Sequence, residues 1–205
     1  RLADDRFYIV TGTGFRTHDF GWIADHLPAE GVSFRDVTED WGTLSLMGPK
    51  ARDILAKVTS DDVSNAALPF GSAREITIAG IPTRALRVTY VGELGWELHI
   101  PIAALGTVYD ALMDADPQLK PVGYRALESL RLEKGYRAWS SDITPNDTPF
   151  EAGLDWAVKL KSGIPFLGRA ALEALHGKPL SKHLVGFTAT TPDAVLVGRE
   201  TILRD

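Results

Sequence analysis

The chain has no cysteine. That excludes disulfides, thiolate metal sites and cysteine nucleophiles, and it is compatible with a reducing compartment. No apolar run approaches the roughly 20 residues of a membrane-spanning helix, so no membrane crossing is expected. Basic runs are missing as well: 22 Lys and Arg stand against 27 Asp and Glu, a formal charge of −5. A general nucleic-acid or anionic-lipid surface is therefore not expected. The opening residues lack the basic and apolar stretches of a signal peptide. There is no internal repeat, and no serine sits in a G-x-S-x-G elbow. His18, His26, His99, His176 and His183 are scattered, with no carboxylate at ligand spacing, so no metal site is expected.

What is present is a chain of 205 residues with 44% apolar and 24% charged side chains, enough for a buried core and incompatible with global disorder. Strands are predicted at Phe7–Val10, Val32–Val37, Trp41–Met47, Ala73–Ala79, Arg84–Val91, Gly95–Ile100 and Leu184–Phe187, with two more at Ala194–Val197 and Thr201–Leu203. Breaks at Gly80-Ile81-Pro82 and Gly92-Glu93-Leu94 suggest two hairpins. Helices are predicted over residues 17–27 (apolar at Phe20, Trp22, Ile23 and Leu27), from Pro49 through Leu55, over 103–113 (burying Leu105, Val108, Tyr109 and Leu112), over 123–135 (burying Leu127, Leu130 and Leu132) and near 169–175. Residues 140–149 read as a long loop. Strands mixed with helices, without strict β-α-β alternation, indicate an α+β fold with antiparallel sheet. The best boundary is Gly177-Lys178-Pro179, giving a domain over 1–178 and the start of another, strand-only one over 179–205. Both termini read as interior positions of a longer polypeptide.

Few residues suggest chemistry. Gly12-x-Gly14 lies between a predicted strand and a helix, as in a dinucleotide fingerprint, but Thr17 replaces the third glycine and a plain turn explains the pair. Asp142 and Asp147 could serve as general acid or base, although loop acids are commonly just solvated. Glu128 and Arg131 are three apart and can pair across a helical turn. The densest stretch is Tyr90-Val91-Gly92-Glu93-Leu94-Gly95-Trp96-Glu97-Leu98. Strand alternation puts Gly95, Glu97 and His99 on one face, and Trp96, Leu98 and Ile100 on a uniformly apolar face that should pack on the core. Glu97 could then accept two parallel hydrogen bonds from a planar donor edge, whether a guanidinium, a pterin or a guanine. An internal salt bridge or a solvated strand carboxylate are the alternatives.

The stretches Tyr90 to Glu97, Ser129 to Gly135, Asp142 to Pro145 and Gly153-Leu154, with Leu46-Met47-Gly48-Pro49, resemble the aminomethyltransferase family typified by the glycine cleavage T-protein. Leu127 to Trp139 and the opening Leu2 to Val10 are most similar to the C-terminal part of dimethylglycine and sarcosine dehydrogenases. The resemblance spans essentially the whole chain. It implies an aminomethyltransferase folate-binding fold, followed by the start of a C-terminal β-barrel domain. It implies tetrahydrofolate in a central hole, with Glu97 on the pterin edge, Tyr90 lining the ring, Leu98 and His99 continuing the contact strand, and Trp156 near the folate. The implied reaction is capture of an iminium one-carbon unit, from oxidation of an N-methyl amine, as 5,10-methylenetetrahydrofolate. The family's catalytic aspartate would precede Arg1, since Asp4 and Asp5 do not match its motif. FAD is expected only in a flavin domain N-terminal to these residues. T-proteins carry an arginine two residues before the serine of the Ser-Leu-Arg motif, where this chain has Leu127; that departure favours the dehydrogenase subgroup. The remaining alternatives are a stand-alone T-protein working with a lipoyl carrier, and a non-catalytic folate-binding regulatory module. The implied location is cytoplasmic, or the mitochondrial matrix in a eukaryote.

Overall fold

A computed structural model describes residues 1–196, 198 and 200–203. The chain divides into two units, one formed by Arg1–Thr89 with Glu93–Pro121, the other by Tyr90–Gly92 with Val122–Asp205.

The first unit is built on a four-stranded antiparallel sheet. Its strands are β1 (Trp41–Met47), β2 (Ala73–Ile78), β3 (Ile81–Leu86) and β4 (Gly95–Pro101), in the order β1-β4-β3-β2. Helices α1 (Arg16–Asp25), α2 (Ala51–Val58) and α3 (Leu105–Ala115) belong to the same unit. In α2 the apolar positions Ala51, Ile54, Leu55 and Val58 follow helical spacing and bring one face to the core. Val108 and Leu112 do the same for α3. The core-facing side of the sheet supplies Leu46, Ile76, Ile78 and Ala85. Trp96, Leu98 and Ile100 of β4 join them, all three fully buried, as the alternation in β4 requires.

Ile78 and Ile81 are direct partners, so Ala79 and Gly80 form a two-residue hairpin turn. Both have positive φ, 48° and 80°, the combination that matches the right-handed twist of the flanking strands. Ile81 and Pro82, read from sequence as part of the break, are instead the first residues of β3. The Ala79 amide also donates to the Val58 carbonyl at 2.9 Å, fastening the turn to the end of α2.

The second unit carries α4 (Tyr124–Glu133), α5 (Arg169–Leu175), a 3-10 turn at Asp155–Ala157 and long irregular segments. Among the described residues no helix is long and apolar enough to cross a membrane.

Several expected elements do not form. Phe7–Val10 is not a strand, because no neighbouring backbone supplies a ladder; the segment attaches through the Tyr8 ring, while Phe7, Ile9 and Val10 are exposed. This also removes the strand context that a dinucleotide fingerprint at Gly12-x-Gly14 needs. Val32–Val37 is irregular too; Phe34 finds its partner in a ring stack on Phe20, 4.7 Å between centroids. Leu184–Phe187 and Thr201–Leu203 form no ladder, nor do Ala194–Leu196, and Val197 lies outside the described residues. Helix α1 ends at Asp25, so Leu27 is outside it, and it buries no residue. Tyr109 on α3 is exposed. In α4 the leucines expected inside are not buried, Leu132 being largely exposed, and the buried residue is Arg131.

Ala79 is the weak point of the hairpin, since a Cβ at positive φ is strained where asparagine is tolerated. Ala79→Asn should raise stability by about 0.5–1 kcal/mol, measured as a higher denaturation midpoint with an unchanged slope.

Candidate functional site

Because Trp96, Leu98 and Ile100 are committed to the core, the intervening side chains of β4 project from the other face of the sheet. Gly95 opens this row: a Cβ there would meet Met47 Cγ at 2.6 Å and the Leu46 carbonyl at 2.8 Å, so the close approach of β1 admits no side chain. Two guanidinium groups lie near the Trp96 ring, Arg87 at 4.8 Å and Arg52 at 5.7 Å from its centroid. Arg87 also donates to the Gly95 carbonyl at 3.1 Å. Burial, with a contribution from Arg52, holds the Arg87 pKa below its ordinary value.

Across the sheet, His99 stands opposite Thr43 on β1 and Arg84 on β3, and Glu97 stands opposite Ser45 and Leu86. His99 is 3% exposed. Its Nδ1 lies 3.1 Å from the Tyr8 hydroxyl and 3.4 Å from Thr43 Oγ1. Its Nε2 is buried without a hydrogen-bond partner among the described residues. The nearest carboxylate to that nitrogen is Glu97 Oε2 at 3.7 Å, beyond hydrogen-bond length. Arg84 lies over Tyr8 and Trp41, 4.4 Å and 4.7 Å from the two ring centroids. Burial pushes the Tyr8 phenol above its ordinary pKa, opposed by the neighbouring Arg84 charge. Tyr8, Trp41, Thr43, Arg84 and His99 line a cavity of about 780 Å³. Glu97, whose side chain is 28% exposed, projects from the same sheet face; among the described residues the basic side chain beside it is His99 rather than an arginine.

The predicted site residues divide between the units. Glu97, Leu98 and His99 are in the first, but the Leu98 side chain points into the core, away from its two neighbours. Tyr90 and Trp156 are in the second. There the Tyr90 hydroxyl donates to the Arg137 carbonyl at 3.1 Å, and its ring stacks on Tyr136 at 6.4 Å. Burial raises its pKa, with the Arg131 charge opposing. Trp156 is 73% exposed on its 3-10 turn.

Arg131 organises the second unit. It is 3% exposed and donates to Glu128, to Asp142 and to the Tyr136 carbonyl. The Glu128 bond first, and Asp142 after it, raise its pKa against the opposing effect of burial. Asp142, a sequence candidate for acid–base work, is thereby occupied, and it also accepts the Ala138 amide at 2.9 Å. Asp147 is occupied in a different way. It accepts the Thr144 amide and hydroxyl at 2.7 and 2.9 Å and pairs with Lys182 at 2.6 Å. Thr148 and Glu151 repeat the motif one step on, with Glu151 accepting the Thr148 amide and hydroxyl, each at 2.9 Å. These are two successive T-x-x-[DE] boxes. Sequence reasoning passed over both of them, as it did the Tyr8–Trp41–Arg84 cluster. The boxes had a readable spacing; the cluster had none until the register was known.

Comparison with known proteins settles the kinship. Residues 1–162 match the family described as the GCVT N-terminal domain. The chain belongs to that family. It is 42% identical to mitochondrial sarcosine dehydrogenase of Mus musculus, over 98% of this chain and 22% of that protein. Identity to mitochondrial dimethylglycine dehydrogenase of Homo sapiens is 36%, over 96% of this chain and 23% of the relative. A Listeria monocytogenes aminomethyltransferase is 34% identical over 91% of this chain and 51% of its own length. The crystal structure of glycine cleavage system aminomethyltransferase T from Bartonella henselae superposes with a TM-score of 0.65 at 29% identity, covering 81% of this chain and 44% of that one. This GCVT-family chain is thus homologous to part of several enzymes, spanning under a quarter of the two dehydrogenases. Its α+β architecture, a four-stranded antiparallel sheet with helices, matches the aminomethyltransferase structure.

Two outcomes follow from the second unit. Arg131→Leu should destabilise the chain by about 3 kcal/mol, because two carboxylates lose a buried cation; chemical denaturation measures it. Asp147 has its pKa lowered to about 2, by Lys182 first and then by Thr144. A depressed carboxylate contributes stability that is present above its ordinary pKa near 3.8 and is lost as pH falls toward 2. Asp147→Asn should therefore be less stable at neutral pH and flatten the acid-unfolding profile between these values.

Proposed function

We propose that this chain is the tetrahydrofolate-binding, one-carbon-transfer portion of a flavin-dependent N-methylglycine dehydrogenase of the sarcosine or dimethylglycine type. The observation that carries the reading is the Glu97 carboxylate, presented from the non-core face of β4 with no guanidinium clamping it among the described residues. A strand-held carboxylate with open lone pairs suits the adjacent N–H and NH₂ donors of an aminopyrimidine ring, which it can bind in parallel. When bound, tetrahydrofolate would supply the nitrogens that accept the one-carbon unit. Glu97 would orient the pterin edge and His99 would stand beside it. Leu98, with its side chain in the core, would hold the contact strand in register. Tyr90 and Trp156, residues of the second unit, are kept in the reading as aromatic candidates. The reading also takes 1–178 as the folate-binding portion and 179–205 as the opening of a β-barrel domain. The aspartate acting at the folate nitrogens, and FAD, would be supplied by sequence N-terminal to Arg1. Greater identity to the two dehydrogenases than to the aminomethyltransferase supports this subgroup over a T-protein working with a lipoyl carrier.

Calorimetric titration with 5-formyltetrahydrofolate, a stable reduced folate, tests the assignment. Glu97→Ala should weaken binding by about 1.5–3 kcal/mol, the scale of hydrogen bonds to a charged group. Equal affinity for variant and parent would remove Glu97 from the site.

A further inference from the structure

His99 is the buried polar side chain on the ligand-facing side of the sheet whose second ring nitrogen has no use in the reading above. Burying an imidazole nitrogen without a partner is unfavourable, so its surroundings should dictate which nitrogen carries the proton. Nδ1 has two hydroxyl neighbours, Tyr8 at 3.1 Å and Thr43 at 3.4 Å. A phenol can donate to it, and the raised Tyr8 pKa keeps that phenol protonated. Nε2 lies 3.7 Å from Glu97 Oε2 and has no hydrogen-bond partner among the described residues. A lone pair there would confront a carboxylate, whereas an N–H would be attracted to it.

We infer that His99 is a positioning residue: held in the Nε2–H tautomer by Tyr8 and Thr43, it directs that N–H at Glu97 and orients the carboxylate toward its ligand. The second carboxylate oxygen stays open, and Oε2 keeps a further lone pair. The role in ligand binding rests on the folate reading; the tautomer and its orienting contact do not.

Two measurements on the full chain separate these. Two-bond ¹H–¹⁵N spectra of ¹⁵N-histidine protein, with the His99 signals assigned by their loss in His99→Gln, should show the Nε2–H pattern. An Nδ1–H pattern would overturn the inference, and this readout needs no folate. In titrations with 5-formyltetrahydrofolate, His99→Leu should lose about tenfold in affinity. His99→Gln, whose amide N–H can reach the same carboxylate, should stay within about threefold of the parent. The His99→Leu loss should vanish in a Glu97→Gln background, as it must if His99 acts through Glu97. Parent-like affinity in His99→Leu would overturn the positioning role even if Glu97→Gln loses binding. Loss of affinity in His99→Gln equal to that in His99→Leu would do the same, and this variant still decides the matter should His99→Leu fail to fold. If instead Glu97→Gln binds as the parent does, the folate assignment falls and the spectra alone judge His99.

Discussion

The two-residue period of β4 is the constraint from which the rest follows. Trp96, Leu98 and Ile100 must enter the core together, and their burial fixes the strand's rotation about its own axis. A slip of one residue would bring a carboxylate and an imidazole into contact with α2 and α3, at a desolvation cost the core cannot offset. Glu97 and His99 are thus placed by their neighbours' hydrophobicity rather than by contacts of their own. Pairing on both edges adds the row Thr43–His99–Arg84, drawn from three strands.

The second unit is ordered differently. It has little buried apolar surface among its described residues, and its organisation is polar. One guanidinium on α4 gathers two carboxylates and a carbonyl, and two threonine boxes shape the segment after it. Deletion of a single partner in such a network costs more than an average contact, because the groups left behind lose part of the compensation for their burial.

How legible this was in the sequence depended on whether a residue's role is local. The bounds of β1 and of α5 were read as they are found, because alternation and a short helical run are local signals. The two faces of β4 were read for the same reason. Segments that become strands only beside a partner, such as Phe7–Val10, were over-read from their apolar content. Helix α4 turns the pattern inside out: three leucines outweigh one arginine by hydrophobicity, but the arginine has two carboxylates to pair with. Tyr8, Thr43 and Arg84 meet His99 from far along the chain, and no spacing rule announces such a meeting.

The paired threonine boxes have a consequence for how the molecule wears. Residues 140–149 form no helix or continuous strand, and on appearance alone they would be the place to expect nicking and rapid amide exchange. Yet the amides of Thr144 and Thr148 are each bonded to a carboxylate, those of Ser140, Asp142 and Asp147 to backbone carbonyls, and Lys182 is anchored to Asp147 from a distant part of the chain. The segment therefore offers an enzyme no readily extended backbone, and irregularity here is a form of armour.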